Sequence, residues 1–200
     1  MDSLRLDKLR QAWKNLCLPL DCLPLLATYA ASDRDYHDLE HLEEVLGWVP
    51  HLPLVPSDRR LLQMALFYHD VVYNTRRADN ERLSADWARR DLTGCLGPLE
   101  VDEVVALIMD TTHGQAPHND LGAWMVDVDL AVLGSPWERF ERYHHGVRRE
   151  YSWVPWFLYR MRRRQVLRQF LQRPRIYLTD YFQSRLEHRA RENLNRALQL

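Results

Sequence analysis

Two short segments of this chain present histidine and aspartate side chains at spacings suited to metal binding. In YHDLEHLEEVL, His37 and His41 are four residues apart, so on a helix their imidazoles would share one face. The segment SDRRLLQMALFYHDVVY is apolar over two turns and then presents His69 and Asp70 side by side. A carboxylate beside an apolar helix face is costly unless it is paired or bound to a cation. We therefore expect Asp70 to have a partner, and a metal ion is the simplest one.

A third segment, LGAWMVDVDLAVLG, is an apolar run interrupted by Asp127 and Asp129. Burying an ionised carboxylate in such a run requires compensation by charge or by hydrogen bonds. Residues two apart on a helix diverge by about 200°, so both aspartates cannot face one site. Val128 and Leu130 flank Asp129 as part of an apolar stripe. This pattern favours Asp129 as the ligand, with Asp127 as the alternative.

The order of these residues resembles a known family. His41, then His69-Asp70, then Asp129 follow the H…HD…D pattern of the HD superfamily. The strings ALFYHDVVYNTRRADNERLSA, TTH and DVDLAVLG are similar to those of the bacterial predicted metal-dependent HD phosphohydrolases, and RREY, RRRQVLRQFL, PRIYLTD and EHRARENL resemble the second half of that family. The resemblance covers the chain from about His37 to Leu198 and implies an all-α HD-domain helical bundle with a C-terminal helical extension.

The resemblance also implies roles for residues beside the metal ligands. His37 would be a proton donor or general acid, as in HD phosphodiesterases with a similar string, or else a polar residue at a helix start. Glu81 would be a general acid or base, as in related HD nucleotidases, although a glutamate in a first helical turn is also favoured by the helix dipole alone. His113 would reach a second metal ion or a substrate phosphate, or lie on the surface. We expect His118 to be solvated, and His51, His144 and His145 to be surface residues.

The implied chemistry is hydrolysis by metal-activated water. Mixed histidine and carboxylate ligation suits Mn, Fe, Co, Ni or Zn better than Ca, leaves Mg open, and allows one or two divalent ions. The expected substrate is a small phosphate ester or anhydride, with a nucleotide as the first choice. Two alternatives stay open: a di-iron oxygenase whose extra ligands would be His113 and His118, and a metal-stabilised binding or sensing module without turnover.

Charge is distributed unevenly along the chain. From Pro136 onward there are 15 arginines, no lysine and 6 acidic residues, so this tail is net +9 and the residues before it are net −10. The tail arginines either dock the tail on the acidic front or form a rim for phosphate, which guanidinium groups bind bidentately. For the rim we expect Arg76 with Arg148 or Arg149, and Tyr151 as a stacking surface for a base. The overall pI of about 6.8 disfavours nucleic acid as the main partner.

Apolar residues recur at spacings of three and four almost everywhere, which predicts helices joined by short loops. The predicted helices are 4–16, 21–31, 37–48, 57–72, 79–94, 98–112, 120–133, 136–151, 155–172 and 184–199. Gly97 before Pro98 marks a helix start, and Ser135, Pro136 and Glu138 match an N-cap, a first-turn proline and a capping glutamate.

These elements divide into a helical core with the metal site, 1–135, and an arginine-rich helical subdomain, 136–200, packed on that core. Six tail aromatic residues are expected to bury against the front half: Trp137, Phe140, Trp153, Trp156, Phe157 and Phe170.

Composition indicates a cytoplasmic protein that does not enter membranes. No stretch approaches the roughly 20 apolar residues that a membrane-spanning helix needs, and the N-terminal segment lacks the apolar core of a signal peptide. Three cysteines without CxxC spacing do not suggest a disulfide framework. A homo-oligomer is left open.

Overall fold

The computed structural model describes residues 2–200, and the regular secondary structure in that range is helical. The only β pairing among these residues is an isolated bridge between Thr93 and Leu96. The α-helices are α1 Asp2–Lys14, α2 Leu23–Tyr29, α3 Leu39–Trp48, α4 Pro56–Tyr68, α5 Asn80–Leu92, α6 Pro98–Asp110, α7 Asp120–Asp129, α8 Trp137–Glu150, α9 Trp156–Gln172 and α10 Asp180–Ala197, with 3₁₀ turns at Val49–His51 and Leu130–Gly134. The predicted all-α fold is therefore confirmed. Within residues 2–200, no helix combines the length and apolar character needed to cross a membrane.

Packing divides the chain into a first unit that ends at Met125 and a second unit, Val126–Leu200, so the division falls inside the continuous helix α7. The sequence analysis places its boundary later, at the start of α8. In the first unit α4 is central and packs against α3, α5 and α6. Its residues from Met64 to Tyr68 are completely buried. A helix that is apolar on all sides belongs in the middle of a core.

The second unit is organised around α10, which packs against the 3₁₀ turn Leu130–Gly134, α8 and α9. The turn approaches α10 so closely that a Cβ on Gly134 would lie 2.6 Å from Leu186 Cβ. Asn193 of α10 donates from Nδ2 to the carbonyls of Leu133 and Ser135 at 2.9 Å each. Glycine at residue 134 is therefore required by packing.

The predicted capping box at the start of α8 is wrong. The N-cap of α8 is Pro136, and no side chain caps the helix. The Ser135 hydroxyl instead donates to the Val132 carbonyl at 2.7 Å. Because the chain leaves a 3₁₀ turn at this point, the serine serves the end of the turn instead of the start of the helix.

The prediction that all the tail aromatic residues bury is also wrong. Phe140 is completely buried, but Trp156 is 56% exposed and Phe157 is 69% exposed. Only Tyr159 and Leu167 of α9 are buried. This helix therefore carries arginines and exposed aromatic side chains together.

Candidate metal centre

His41 is positioned by the first turn of α3. The N-cap of this helix is Asp38, whose Oδ1 accepts hydrogen bonds from the backbone N–H groups of Glu40 at 2.8 Å and His41 at 3.1 Å. Burial raises the pKa of Asp38, and these hydrogen bonds offset part of that rise. The cap fixes the backbone that carries the His41 imidazole, which is only 1% exposed.

His69 follows the last residue of α4 as its C-cap and is also only 1% exposed. Its Nδ1 lies 2.8 Å from the Leu66 carbonyl, which can only accept a hydrogen bond. Nδ1 therefore carries a proton, and in the neutral ring the lone pair is on Nε2. Metal-binding histidines are typically oriented in this way by a backbone carbonyl.

The potential ligand atoms converge. His41 Nε2 and His69 Nε2 lie 3.2 Å apart, and Asp70 Oδ2 is 3.1 Å from His69 Nε2 and 3.7 Å from His41 Nε2. Asp129, the last residue of α7, completes a group in which one ligand atom each from His41, His69 and Asp129 lie within 4.8 Å of one another. Metal–ligand distances of about 2.0–2.2 Å place neighbouring ligand atoms roughly 3–3.5 Å apart. These residues could therefore hold a divalent metal ion.

The charges in this cluster also favour a cation. Because His69 Nδ1 is committed to Leu66, the neutral ring would turn an Nε2 lone pair toward the Asp70 carboxylate at 3.1 Å. Two acceptors at that distance repel each other unless a positive charge lies between them or the ring is protonated. A shared metal ion relieves this repulsion and compensates the burial of the carboxylates.

The structure separates the two aspartates of α7. Asp127 is completely buried, and its carboxylate accepts three hydrogen bonds of 2.7 Å: from the backbone N–H groups of Leu178 and Thr179 and from the Thr179 hydroxyl. Burial raises the pKa of Asp127, and these hydrogen bonds offset part of the rise. Asp127 holds the segment before α10 in place, while Asp129 joins the histidines, as the sequence favoured.

Two residues that the sequence analysis missed support the His69-Asp70 pair. Arg34 donates from Nη1 to the carbonyls of His37 at 3.0 Å and Asp70 at 2.7 Å, and from Nη2 to the Val71 carbonyl at 3.0 Å. The Tyr29 hydroxyl accepts from the Asp70 backbone N–H at 3.2 Å, and burial raises the pKa of this hydroxyl to about 12. Both residues fix the backbone of Asp70. Their positions carry no periodic pattern or motif that could have revealed this role.

His37 lies beside the site, but for a reason other than the predicted one. It precedes the N-cap Asp38 and is not on α3, so the argument from a shared helix face is wrong. The centroid of the His37 ring is 6.0 Å from that of the His41 ring. The His37 ring stacks on the Tyr73 ring, with their centroids 4.0 Å apart. Glu81 is half-buried in the first turn of α5, and its catalytic role stays a prediction.

His113 and His118, the two histidines considered as extra metal ligands, lie outside the group of His41, His69 and Asp129 found among the described residues. His113 follows the end of α6 with a left-handed φ of 55°. His118 is not simply solvated, because its Nδ1 is 2.6 Å from Asp110 and its Nε2 is 3.2 Å from Glu103. Both ring nitrogens of His118 therefore face carboxylates, and His118 lies outside the group of His41, His69 and Asp129.

The predicted substrate-binding residues lie in two loops and at the end of α8. Arg76 is exposed in the loop after α4, and Arg149 is exposed in the last turn of α8. Arg148 donates from Nη1 to the carbonyls of Tyr151 at 2.6 Å and Val154 at 3.2 Å, which gives it a structural role. Tyr151 is half-buried, with its ring 6.2 Å from that of Tyr159. Their roles in substrate binding stay predictions.

Comparisons of this chain with protein-family models, with curated proteins and with solved structures returned no match.

Proposed function

We propose that this protein is a metal-dependent phosphohydrolase of the HD type that acts on a small phosphate ester or anhydride, with nucleotides as the first substrate class to test. The observation that supports the proposal is the group of donor atoms from the buried His41 and His69 and the half-buried Asp129, beside the Asp70 carboxylate. Two neutral nitrogen ligands with carboxylates suit Mn, Fe, Co, Ni or Zn. This ligand set leaves positions on the ion for water and a phosphate oxygen.

When bound, a divalent ion supplies a Lewis acid for the phosphoryl oxygen and lowers the pKa of a bound water to about 7. His41, His69 and Asp129, with Asp70 as the fourth ligand that the sequence predicts, would hold the ion. The hydrogen bond from His69 Nδ1 to Leu66 keeps the Nε2 lone pair available to it. Arg34 and Tyr29 hold the Asp70 backbone, so the Asp70 carboxylate stays beside both imidazoles.

Proton transfer is assigned to the residues around this cluster. His37, whose ring stacks on Tyr73, would donate a proton to the leaving oxygen, since its ring is next to that of His41. Glu81 is the second candidate, as a base for the attacking water. General acid or base residues of this kind typically contribute about 10²- to 10⁴-fold to a rate.

The test is a phosphate-release assay on the purified protein, supplied separately with Mn, Fe, Co, Ni, Zn and Mg and with a nucleotide panel. Turnover should depend on the metal, and Asp70→Ala should lose both metal and activity while circular dichroism remains helical. Removal of an outer partner of a metal ligand costs about 10- to 100-fold, so this loss should exceed that. Absence of phosphate release with every metal, or an Asp70→Ala variant with full metal content and activity, would overturn the proposal.

A further inference from the structure

A second cluster of chemically active side chains lies entirely within the second unit and contains none of the metal-site residues. Residues of α8, α9 and the end of α10 enclose a cavity of about 220 Å³. Four arginines and two histidines contribute to its lining, with one side-chain carboxylate, from Glu141: Arg148, Arg160, Arg163, Arg164, His144 and His145. A cavity with this excess of arginines attracts an anion, and guanidinium groups match phosphate oxygens in geometry.

One wall of the cavity is aromatic. Trp156 and Tyr159 line it with their rings nearly parallel, at 24° and with centroids 6.2 Å apart. The guanidinium carbon of Arg148 lies 4.8 Å from the centre of the Tyr159 ring. Planar groups thus already stack on one another here, and a planar ring of a ligand would extend the same packing.

The cavity also has buried polar atoms that lack partners. Among residues 2–200, neither the Tyr159 hydroxyl nor His144 Nδ1 has a hydrogen-bond partner, and Tyr159 is only 7% exposed. An unsatisfied buried polar group destabilises a fold, so such atoms call for a ligand or water. Burial, with Arg163 and His145 nearby, lowers the pKa of His144 to about 4, so its ring is neutral at pH 7. The positive charge of the lining then comes from the arginines. The prediction that His144 is an ordinary surface residue is wrong.

We propose that this cavity is a binding site for a small aryl phosphate, a compound with one planar ring and one dianionic phosphate group. The volume exceeds the roughly 150 Å³ of a cavity that holds benzene, but it is below the 300–1,000 Å³ typical of sites for drug-sized ligands. Four arginines favour a dianion over a monoanion. The Tyr159 hydroxyl lies in the wall without a partner and would turn toward the phosphate, and Trp156 would stack on the ring. The site does not depend on the proposed hydrolase activity.

The experiment measures binding of phenylphosphonate, which cannot be hydrolysed at a phosphate ester bond, to the full chain by calorimetry. Methylphosphonate, which lacks the ring, and benzyl alcohol, which lacks the charge, should each bind at least about tenfold more weakly. Tyr159→Phe removes one hydroxyl and should weaken phenylphosphonate binding by about tenfold. Tyr181→Phe, a matched change outside the cavity in the same unit, should leave it unchanged.

The charge is tested with Arg164→Gln, which should weaken binding by about tenfold or more, against Arg168→Gln, one helical turn further on and outside the lining. An equal effect of both substitutions would mean diffuse attraction by the surface and would overturn the site. Asp70→Ala should bind phenylphosphonate as the wild type does, whether or not the protein hydrolyses phosphate esters. Loss of binding in Asp70→Ala would place the ligand at the metal centre, and absence of binding to the wild type would also overturn the proposal.

Discussion

Asp127, near the end of α7, and Asp70, just after α4, both adjoin apolar helix residues, but different groups surround their carboxylates. The Asp127 carboxylate is completely buried and faces three hydrogen-bond donors, from Leu178 and Thr179. The Asp70 carboxylate faces two imidazole nitrogens, and one of them carries a lone pair in the neutral ring. A carboxylate whose donors are all supplied by the chain stabilises the fold, whereas one that faces other acceptors requires a cation. The surrounding donors therefore distinguish Asp127, which stabilises the fold, from Asp70, which lies beside the potential metal ligands.

The largest expected effect is the difference in metal content and stability between Asp129→Asn and Asp127→Asn. Asp129→Asn should lose most bound metal with little change in melting temperature, because it removes a ligand charge and little packing. Asp127→Asn should retain stoichiometric metal but lose about 1–3 kcal/mol of unfolding free energy, since the amide turns a donor toward backbone N–H groups. Metal content and urea unfolding measured on both variants test this pair. Loss of metal in Asp127→Asn together with loss of stability in Asp129→Asn would contradict the roles given to the two aspartates.

The sequence predicts the helices because their periodicity is local, whereas the possible metal group joins three separate segments and is predicted from the order of its residues. His69, Asp70 and the apolar turns before them lie on one segment, and the periodicity of α4 predicts its burial. Two histidines four residues apart predict that His37 and His41 share one helix. This prediction is wrong because α3 begins after its N-cap, Asp38, and His37 precedes that cap. The predicted start of α10 at 184 is four residues late, because apolar periodicity alone does not include the Thr179 cap and Asp180 in the first turn.

The missed residues have roles that depend on tertiary contacts. Arg34 lies in a loop, and only the fold brings its guanidinium to the Asp70 and Val71 carbonyls, 36 and 37 residues away. His144 lies on an ordinary polar helix segment, and only the packing of α9 encloses it. The tail aromatic residues show that side-chain type alone does not predict burial. Trp156 and Phe157 are aromatic, yet both are exposed.

The next prediction concerns the support of the metal-site backbone. Arg34→Gln should weaken metal binding by about 10- to 100-fold, because three carbonyls lose the guanidinium that holds them. The measurement is the metal dissociation constant by competition with a chelating dye. Arg77→Gln is the matched control, since Arg77 is exposed and pairs with Asp79 in the loop before α5. Equal metal affinity in Arg34→Gln and wild type would show that Asp70 is held without Arg34.

A smaller effect distinguishes the two arginines at the end of α8. Arg148→Ala should lower the unfolding free energy by about 1–3 kcal/mol, because Nη1 donates to the carbonyls of Tyr151 and Val154. Arg149→Ala, at an exposed position, should change stability by less than about 0.5 kcal/mol. Melting temperature and KM for a phosphorylated substrate should be measured together. A raised KM in Arg149→Ala without loss of stability would support the predicted phosphate rim at that residue.

The smallest effect is a pH dependence in the first unit, at His118. Burial alone would lower the pKa of His118, but hydrogen bonds and charge from Asp110 and Glu103 outweigh it and raise the pKa above the ordinary value near 6.5. The folded state therefore binds the proton more tightly than the unfolded state does. The resulting stabilisation is complete below about pH 6.5 and is lost as the pH rises through the folded pKa. Because the His118 side chain is 31% exposed and water screens its interaction with the two carboxylates, the change should be small. Urea midpoints of wild type and His118→Gln from pH 5.5 to 8.5 should differ most at low pH. A difference between wild type and His118→Gln that grows toward pH 8.5 would mean that the two carboxylates do not favour the charged ring.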